Sequence, residues 1–486
     1  MPLANAGDPA RSAPPVRSSL TQGLGRIAKG LALATAIVAP WAPSGAFRPS
    51  EAAAQPEAAP LAAALRQALR ERGSEDELQQ FYAARGFRPL WMAAAGPRPE
   101  ARAVLGLLQG AARDGLNPAE YRPEALAVML ERARQGGAAE QARVELALSL
   151  AYAQYLTDLR TPPASARLAF TDPRLPPPPP TGVRPVLEAA ARAPQLDRHV
   201  AAAARMNLLY EELRAALAEH RANRASGAQP DATERLILTN MARLRGLPRT
   251  LGPRFIVVDA ASATLKVYED GQVIDEMAVG VGRPSAATPE MAGVIRYARF
   301  NPYWNLPQGM IQGEIAPRVL REGPGFLTAQ RFEILSDWSP QAWTLDPAEV
   351  DWAAVARGER KLRVRQLPGP NNILGKVKLM LPNELGIYLH DTPDRGALQR
   401  SRRLLSAGCI RLADADRLTR WLLRWDEART PPDGVNQRVD LPEPVPVYII
   451  YRTVEPADGG VLRHADVYGR DSLVMAELTG AQNRRL

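Results

Sequence analysis

A chain of 486 residues, 46% of them hydrophobic, can bury at least one substantial core and has room for two or more domains, which excludes an intrinsically disordered protein. Its formal charge is +9, but no lysine stands between Lys29 and Lys266 and the arginines are scattered, not run together with aromatics; nucleic-acid binding is thereby set aside, while an anionic polymer stays compatible as a partner. The single cysteine, Cys409, excludes an intramolecular disulfide and leaves a free reactive thiol or an intermolecular bridge.

Arg11, Arg17, Arg26 and Lys29 precede an apolar run from Gly30 to Ala39, followed by small-residue sites near Ala46 and Ala54. This is the order of a secretory signal, and the run is shorter than the roughly 20 residues a spanning helix needs. Residues 1–55 are therefore expected to be a cleaved export signal, an uncleaved inner-membrane anchor being the alternative. From Pro60 to about Leu159 the pattern is helical: Leu61, Leu65 and Leu69 recur every fourth residue up to Gly73, Ser74 and Glu77 suggest a capping box for a second helix bearing Leu78, Phe81 and Tyr82, and Leu148, Tyr152, Tyr155 and Leu159 form a later stripe. The prolines from Pro176 to Pro180 predict a polyproline linker or surface strap. Helical pattern returns around Leu208 to Leu217, passes a polar stretch from Asn223 to Asp231 and ends near Gly246 and Pro248.

Beyond Gly252 the period changes to two, through Phe255, Val257, Leu265, Val267, Val273 and Val279, with Asp270-Gly271 as a turn, and an apolar run from Val445 to Tyr451 reads as a closing strand. Between them Val377, Leu379 and Leu381, then Leu385, Ile387 and Leu389, predict a hairpin turning at Pro382-Asn383. Alternation places His390 at the end of its second strand, on the face away from Leu389. Ser406-Ala407-Gly408-Cys409-Ile410-Arg411 follows, then a helix with Leu418, Trp421 and Leu422 on one side. A thiol with a pKa of about 8.5 becomes a good nucleophile when an imidazolium stabilises its thiolate, so Cys409 and His390 are a candidate pair, with the N–H groups of Gly408 and Cys409 as a candidate oxyanion hole. Taken alone, each residue has a plainer reading: a free cysteine is usually a small buried hydrophobe, and Arg411 serves equally as a carboxylate clamp, a loop brace or a structural ion pair. His199, His220 and His464 show no ligand spacing, so no metal is expected.

As a set, Arg365 to Gly369, Asn372 to Lys378, Pro382-Asn383, Leu389 to Pro393 and Ser406 to Arg411 resemble the signature of the L,D-transpeptidases of Gram-negative bacteria, whose catalytic domain is of the YkuD type. Thr288-Pro289, Asn301 to Trp304 and Pro307 are similar to the segment before that family's substrate-capping subdomain. Phe81-Tyr82, Pro89 to Trp91, Gly115-Leu116 and Asn240 to Arg243 resemble the helical scaffold of its large members. The resemblance implies an α+β multidomain protein: a helical scaffold over 56–250 with a proline-rich linker at 173–183, a mainly-β, sandwich-like catalytic domain over 251–454 with a capping segment at about 309–367, and a tail over 455–486. It implies Cys409 as acylated nucleophile, His390 as base with the Asp391 backbone carbonyl orienting it, Ser406, Gly408 and Arg411 as motif support, Tyr388, Trp304 and Asn372 as substrate-binding residues, and no cofactor. The implied partners are a peptidoglycan tetrapeptide donor and a diaminopimelate-containing acceptor in the periplasm. Water in place of the acceptor would make a carboxypeptidase or amidase of the same acyl-enzyme, and an inert Cys409 would make a wall-binding scaffold. Two departures stand out: Ala407 sits where many relatives carry a second histidine, and the short stretch from Asn223 to Asp231 stands where large relatives insert a peptidoglycan-binding module.

Overall fold

The computed structural model describes residues 59–483 except 74, 75, 226 and 228; the export signal expected in 1–55 and the cap expected at Ser74 lie outside the described residues. Helix α1 (Ala59–Glu71) buries Leu61, Leu65 and Leu69. Helix α2 (Glu77–Ala84) is capped by Asp76, whose side chain accepts from the Gln79 N–H at 3.0 Å. Glu77 is the first helical residue, and an orphan N–H of the first turn is met by the side chain immediately before it.

Helices α3 (Pro99–Gln109) and α4 (Pro123–Ala133) pack on the long α5 (Ala138–Arg160), whose Leu148, Tyr152, Tyr155 and Leu159 are fully buried. The scaffold continues through α6 (Val183–Arg192), α7 (Leu196–Ala203), α8 (Leu208–Ala222) and α9 (Ala232–Leu244). At its centre the Glu145 carboxylate accepts from the Tyr82 hydroxyl at 2.6 Å and from the backbone N–H groups of Leu90, Trp91 and Met92 at 2.5, 2.9 and 2.9 Å. Three consecutive N–H groups of a non-helical segment are thereby satisfied inside the bundle by one side chain, just where the short Met92–Ala93 strand pairs with Gly96–Pro97.

The C-terminal body is a sheet of β1 (Ala169–Phe170), β2 (Arg254–Asp259), β3 (Thr264–Glu269), β4 (Gln272–Gly282), β5 (Met291–Phe300), β6 (Val377–Met380), β7 (Leu389–His390), β8 (Leu404–Ser406), β9 (Ile410–Leu412) and β10 (Gln437–Ile450). Its order is β6-β7-β9-β4-β3-β2-β10-β5-β1, with β8 on β4 and a further pairing of β6 with β5 that closes the sheet on itself. Along β2, Ile256 and Val258 join the core inside this body, whereas Phe255 and Val257 join the core of the helices. Both faces of the strand are therefore buried, and period two here separates two cores, not core from solvent. Tyr268, Tyr448 and Ile450 extend the outer contact. The two halves are also pinned by polar bonds: Thr453 N–H donates to Asn240 Oδ1 at 2.8 Å, Asn240 Nδ2 to Thr453 Oγ1 at 2.9 Å, and Arg243 Nη1 to Asp471 at 2.6 Å. Asp471 opens the last helix, Asp471–Asn483, which packs on α9.

Residues 304–366 form a separate lobe. Short strands Trp304–Asn305, Phe332–Leu335, Thr344–Leu345 and Arg363–Gln366 make one sheet, which with short helices encloses a core of its own around Ile311, Leu327, Ile334, Trp352 and Val364. The proline run, Pro176–Pro180, leaves β1 and crosses to α6 without regular structure.

Candidate active site

The expected hairpin is only half formed. Strand β6 runs as predicted, but its partner β7 is Leu389–His390 alone, and Leu385 is 49% exposed. The cause is Asn383: its Nδ2 donates to the carbonyls of Leu381 and Ile387 at 2.6 and 2.7 Å, and its Oδ1 accepts from the Ile387 N–H at 3.1 Å. The side chain takes the hydrogen bonds that a ladder would have used, which is how asparagine competes with strand pairing. The loop so formed leaves the Gly386 carbonyl 3.6 Å from Cys409 Sγ, close enough to accept from the thiol.

Two neighbours in the sheet bring the signature together. Parallel pairing of β7 with β9 sets Leu389 opposite Ile410 and His390 opposite Arg411, and the Ile410 N–H donates to the Tyr388 carbonyl at 3.0 Å. Cys409 thus lies at the mouth of β9 beside Tyr388. Antiparallel pairing with β6 sets Lys378 opposite His390, so Lys378, His390 and Arg411 share one face. Lys378 Nζ stands 3.5 Å from the centre of the Tyr388 ring, and the Tyr388 and His390 rings are 5.7 Å apart.

The loop before Cys409 is braced from both sides. Ser406 Oγ donates to the Cys409 carbonyl at 2.6 Å and accepts from the Gly408 N–H at 3.0 Å. Buried Thr288 donates through Oγ1 to the Gly408 carbonyl at 2.9 Å and accepts from the Gly282 N–H at 2.9 Å. Gly408 holds φ +118°, which disfavours any side chain, and a Cβ there would stand 3.1 Å from Ile387 Cδ1, so that the isoleucine would have to give way. One expectation is corrected here: the Gly408 N–H is already committed to Ser406, so the Cys409 N–H is the donor of that pair left to consider for an oxyanion.

His390 is 3% exposed, and its Nδ1 is 2.6 Å from the Asp391 carbonyl. A carbonyl only accepts, so Nδ1 carries the proton and Nε2 the lone pair. The Asp391 carboxylate is fixed in turn by the Lys376 N–H at 2.8 Å and by Arg395 at 3.3 Å, and a Cβ on Gly375 would collide with it. Burial holds the His390 imidazole down to about 3, with Arg411 and Lys378 adding repulsion and the Asp391 bond opposing it. Burial pushes the Cys409 thiol up, against the opposing pull of Tyr388, Lys378 and Arg411. Both shifts favour the neutral forms, thiol and imidazole, over the thiolate–imidazolium pair expected from the residue types, and desolvation by burial is the main cause of each. Burial also holds Lys378 down to about 8, while the charge of Cys409 would raise it. Arg411 is largely buried, and its Nε has no hydrogen-bond partner among the described residues.

Of the residues expected at substrate, Tyr388 adjoins Cys409, whereas the other two serve other networks. Asn372 is 1% exposed; its Nδ2 donates to the Pro302 and Leu367 carbonyls at 3.0 and 3.1 Å, and its Oδ1 accepts from the Leu374 N–H at 2.8 Å. With its amide engaged in this way it is a brace at the root of the 304–366 lobe, a correction to its expected role. Trp304 pairs through the backbone with Gln366 and packs against the lobe core beside Phe332. Sequence reasoning placed Lys378 and Thr288 inside resembling segments but gave neither a role in the site. The alternation of Lys378 with core leucines, one strand away from His390, is a usable signal for its role; the bracing role of Thr288 has none in local spacing, because its partner is 120 residues distant.

Residues 76–217 match the Scaffold domain family and residues 253–449 the L,D-transpeptidase catalytic domain family of YkuD type. A Haemophilus influenzae protein named "Putative L,D-transpeptidase" is 32% identical over 257 residues, 51% of either chain, so the present chain spans about half the length of that relative. Solved L,D-transpeptidases also resemble it at a distance: that of Mycobacterium smegmatis is 16% identical with a TM-score of 0.20, covering 41% of this chain and 60% of its own, and L,D-transpeptidase 3 of Mycobacterium tuberculosis is 14% identical with a TM-score of 0.20, covering 41% and 62%. Superpositions this loose carry no functional weight. The two family matches lie on the helical scaffold and on the closed sheet that bears Cys409 and His390, so the chain carries an L,D-transpeptidase catalytic domain of YkuD type with a Scaffold domain ahead of it.

Proposed function

We propose that this protein is an exported, periplasmic peptidoglycan L,D-transpeptidase that joins diaminopimelate residues of stem peptides through an acyl-enzyme on Cys409. The observation that carries this reading is the His390 Nδ1 bond to the Asp391 carbonyl, which leaves Nε2 as a neutral base in the strand next to the nucleophile's loop. In the first half-reaction Cys409 Sγ attacks the carbonyl of the L,D bond as Nε2 takes the thiol proton, so that the thiolate exists only as the new C–S bond forms. The oxyanion is met by the Cys409 N–H, and the proton passes from His390 to the amine of the departing D-alanine. In the second half-reaction the side-chain amine of the acceptor attacks the thioester and loses its proton to Nε2, which returns it to Sγ. Arg411 and Lys378, cationic and close by, suit the carboxylates of the donor.

The test is mass spectrometry of a disaccharide-tetrapeptide incubated with the mature protein, with Cys409→Ala alongside. Loss of D-alanine together with a cross-linked dimer is the expected result. Tripeptide alone would reassign the protein as a carboxypeptidase, and no change in either sample would leave a wall-binding scaffold.

A further inference from the structure

Between the proline strap and the scaffold lies a cavity of about 580 Å3 that the proposed reaction does not use. One wall is the strap, Pro178 to Thr181; the others come from α6 and the segment after α9. Arg160, Arg184, Arg192, Arg245 and Arg249 line it against one carboxylate, Glu188. Glu188 is already held by Arg184 at 2.6 Å and Arg192 at 2.7 Å, so the remaining three guanidinium groups meet no acidic side chain of the lining.

Two of them have a structural task at the end of α7. Arg160 donates to the Ala203 carbonyl at 2.8 Å, and Arg249 donates to the carbonyls of Arg205 and Ala202, each at 2.8 Å. A helix C-terminus offers roughly half a negative charge, too little to balance two full cations. The Nε atoms of Arg160 and of Arg245, which is 7% exposed, are buried without a hydrogen-bond partner among the described residues. Burial and the neighbouring Arg249 hold Arg160 down to about 10. An arriving anion would relieve that repulsion.

We propose that this cavity binds the carboxylate end of a peptide, the carboxylate between Arg160 and Arg249 and an apolar side chain against Met206 and Leu247. The strap favours a peptide over a lipid: a polyproline run has no N–H, and its carbonyls make no internal bonds, so they stand ready for the N–H groups of an extended ligand. A lipid tail has nothing to donate to them. The volume is in the range of pockets that hold small ligands, and a terminal dipeptide fits it.

The experiment is fluorescence anisotropy on the full chain bearing Cys409→Ala, so that failure of the acyl-enzyme reading leaves this test untouched. The probes are fluorescein-Gly-Ala-Ala-Leu with a free carboxylate, the same peptide as its C-terminal amide, and phosphatidylglycerol vesicles. The acid is expected to bind at least about tenfold more tightly than the amide. Arg160→Gln with Arg249→Gln is expected to remove that preference. Because those arginines also cap α7, Ala189→Trp serves as the second variant: Ala189 lines the cavity from the exposed side of α6, so the indole fills it with the fold intact, and binding should again fall at least about tenfold. Equal binding of acid and amide, no binding of either, parental affinity in Ala189→Trp, or capture of vesicles alone would each overturn the proposal.

Discussion

Glu145 in the scaffold and His390 in the sheet are both buried titratable groups, 0% and 3% exposed, and they are satisfied in opposite ways. Glu145 receives the Tyr82 hydroxyl and three consecutive backbone N–H groups, so burial raises its carboxyl while four donors pull it back. His390 makes one bond, through Nδ1, and keeps company with two cations, Arg411 and Lys378. Burial with every valence met builds structure; burial with one valence left open builds reactivity.

The sharpest way to break this contrast is His390→Ala, which on the proposed role lowers kcat/KM by about 10²- to 10⁴-fold. If the resting pair is neutral, the same change leaves the rate of Cys409 alkylation by iodoacetamide at neutral pH within about threefold of the parent. A large fall in alkylation would restore the ion pair and end the general-base reading. Glu145→Ala should do the reverse, costing about 3 kcal/mol or more in urea unfolding because it strands buried donors, while activity per folded molecule is retained. Lys378→Met is expected to lower kcat/KM about tenfold, as for one lost charge-assisted contact. Because Lys378 titrates near 8, the parent should decline above that pH and the variant should show a flatter alkaline limb.

A further prediction concerns stability and pH. The folded-state value for His390, about 3, lies below its unfolded value of 6.5, so the unfolded chain takes up the proton first. Its contribution is therefore fully present above about 6.5 and lost progressively as pH falls toward 3. His390→Gln should flatten that portion of a melting-temperature profile, and an unchanged profile would show that His390 is not buried as described. The acid limb of kcat/KM should likewise lie well below 6.

Much of the fold is legible where periodicity governs: the leucines of α1, the stripe of α5 and the strands from Phe255 onward follow from spacing alone. The N-cap of α2 is not, because Ser74 and Asp76 are both good caps, and only the helix's actual first residue chooses between them. The shortness of β7 is hidden because Leu385, Ile387 and Leu389 alternate as strand residues do, while the Asn383 side chain, which consumes the ladder bonds, leaves no trace in a hydrophobic pattern. Glu145 is silent too, since a glutamate in a helix looks like a solvated face until the segment that docks on it is known.

By itself the sequence determined which residues could do the chemistry: one thiol, a histidine at a strand end and an arginine two residues beyond the thiol, within a spaced signature, together with an arginine-rich, lysine-poor surface. Tertiary structure decided their states and their company. Register between strands distant in sequence put Lys378, His390 and Arg411 on one face, the Asp391 carbonyl chose the tautomer, Ser406 claimed the Gly408 N–H, and Asn372 became a brace. The physical reason is that ionisation and hydrogen-bond valence depend on desolvation and on neighbours in space, neither of which is a property of residue type or spacing.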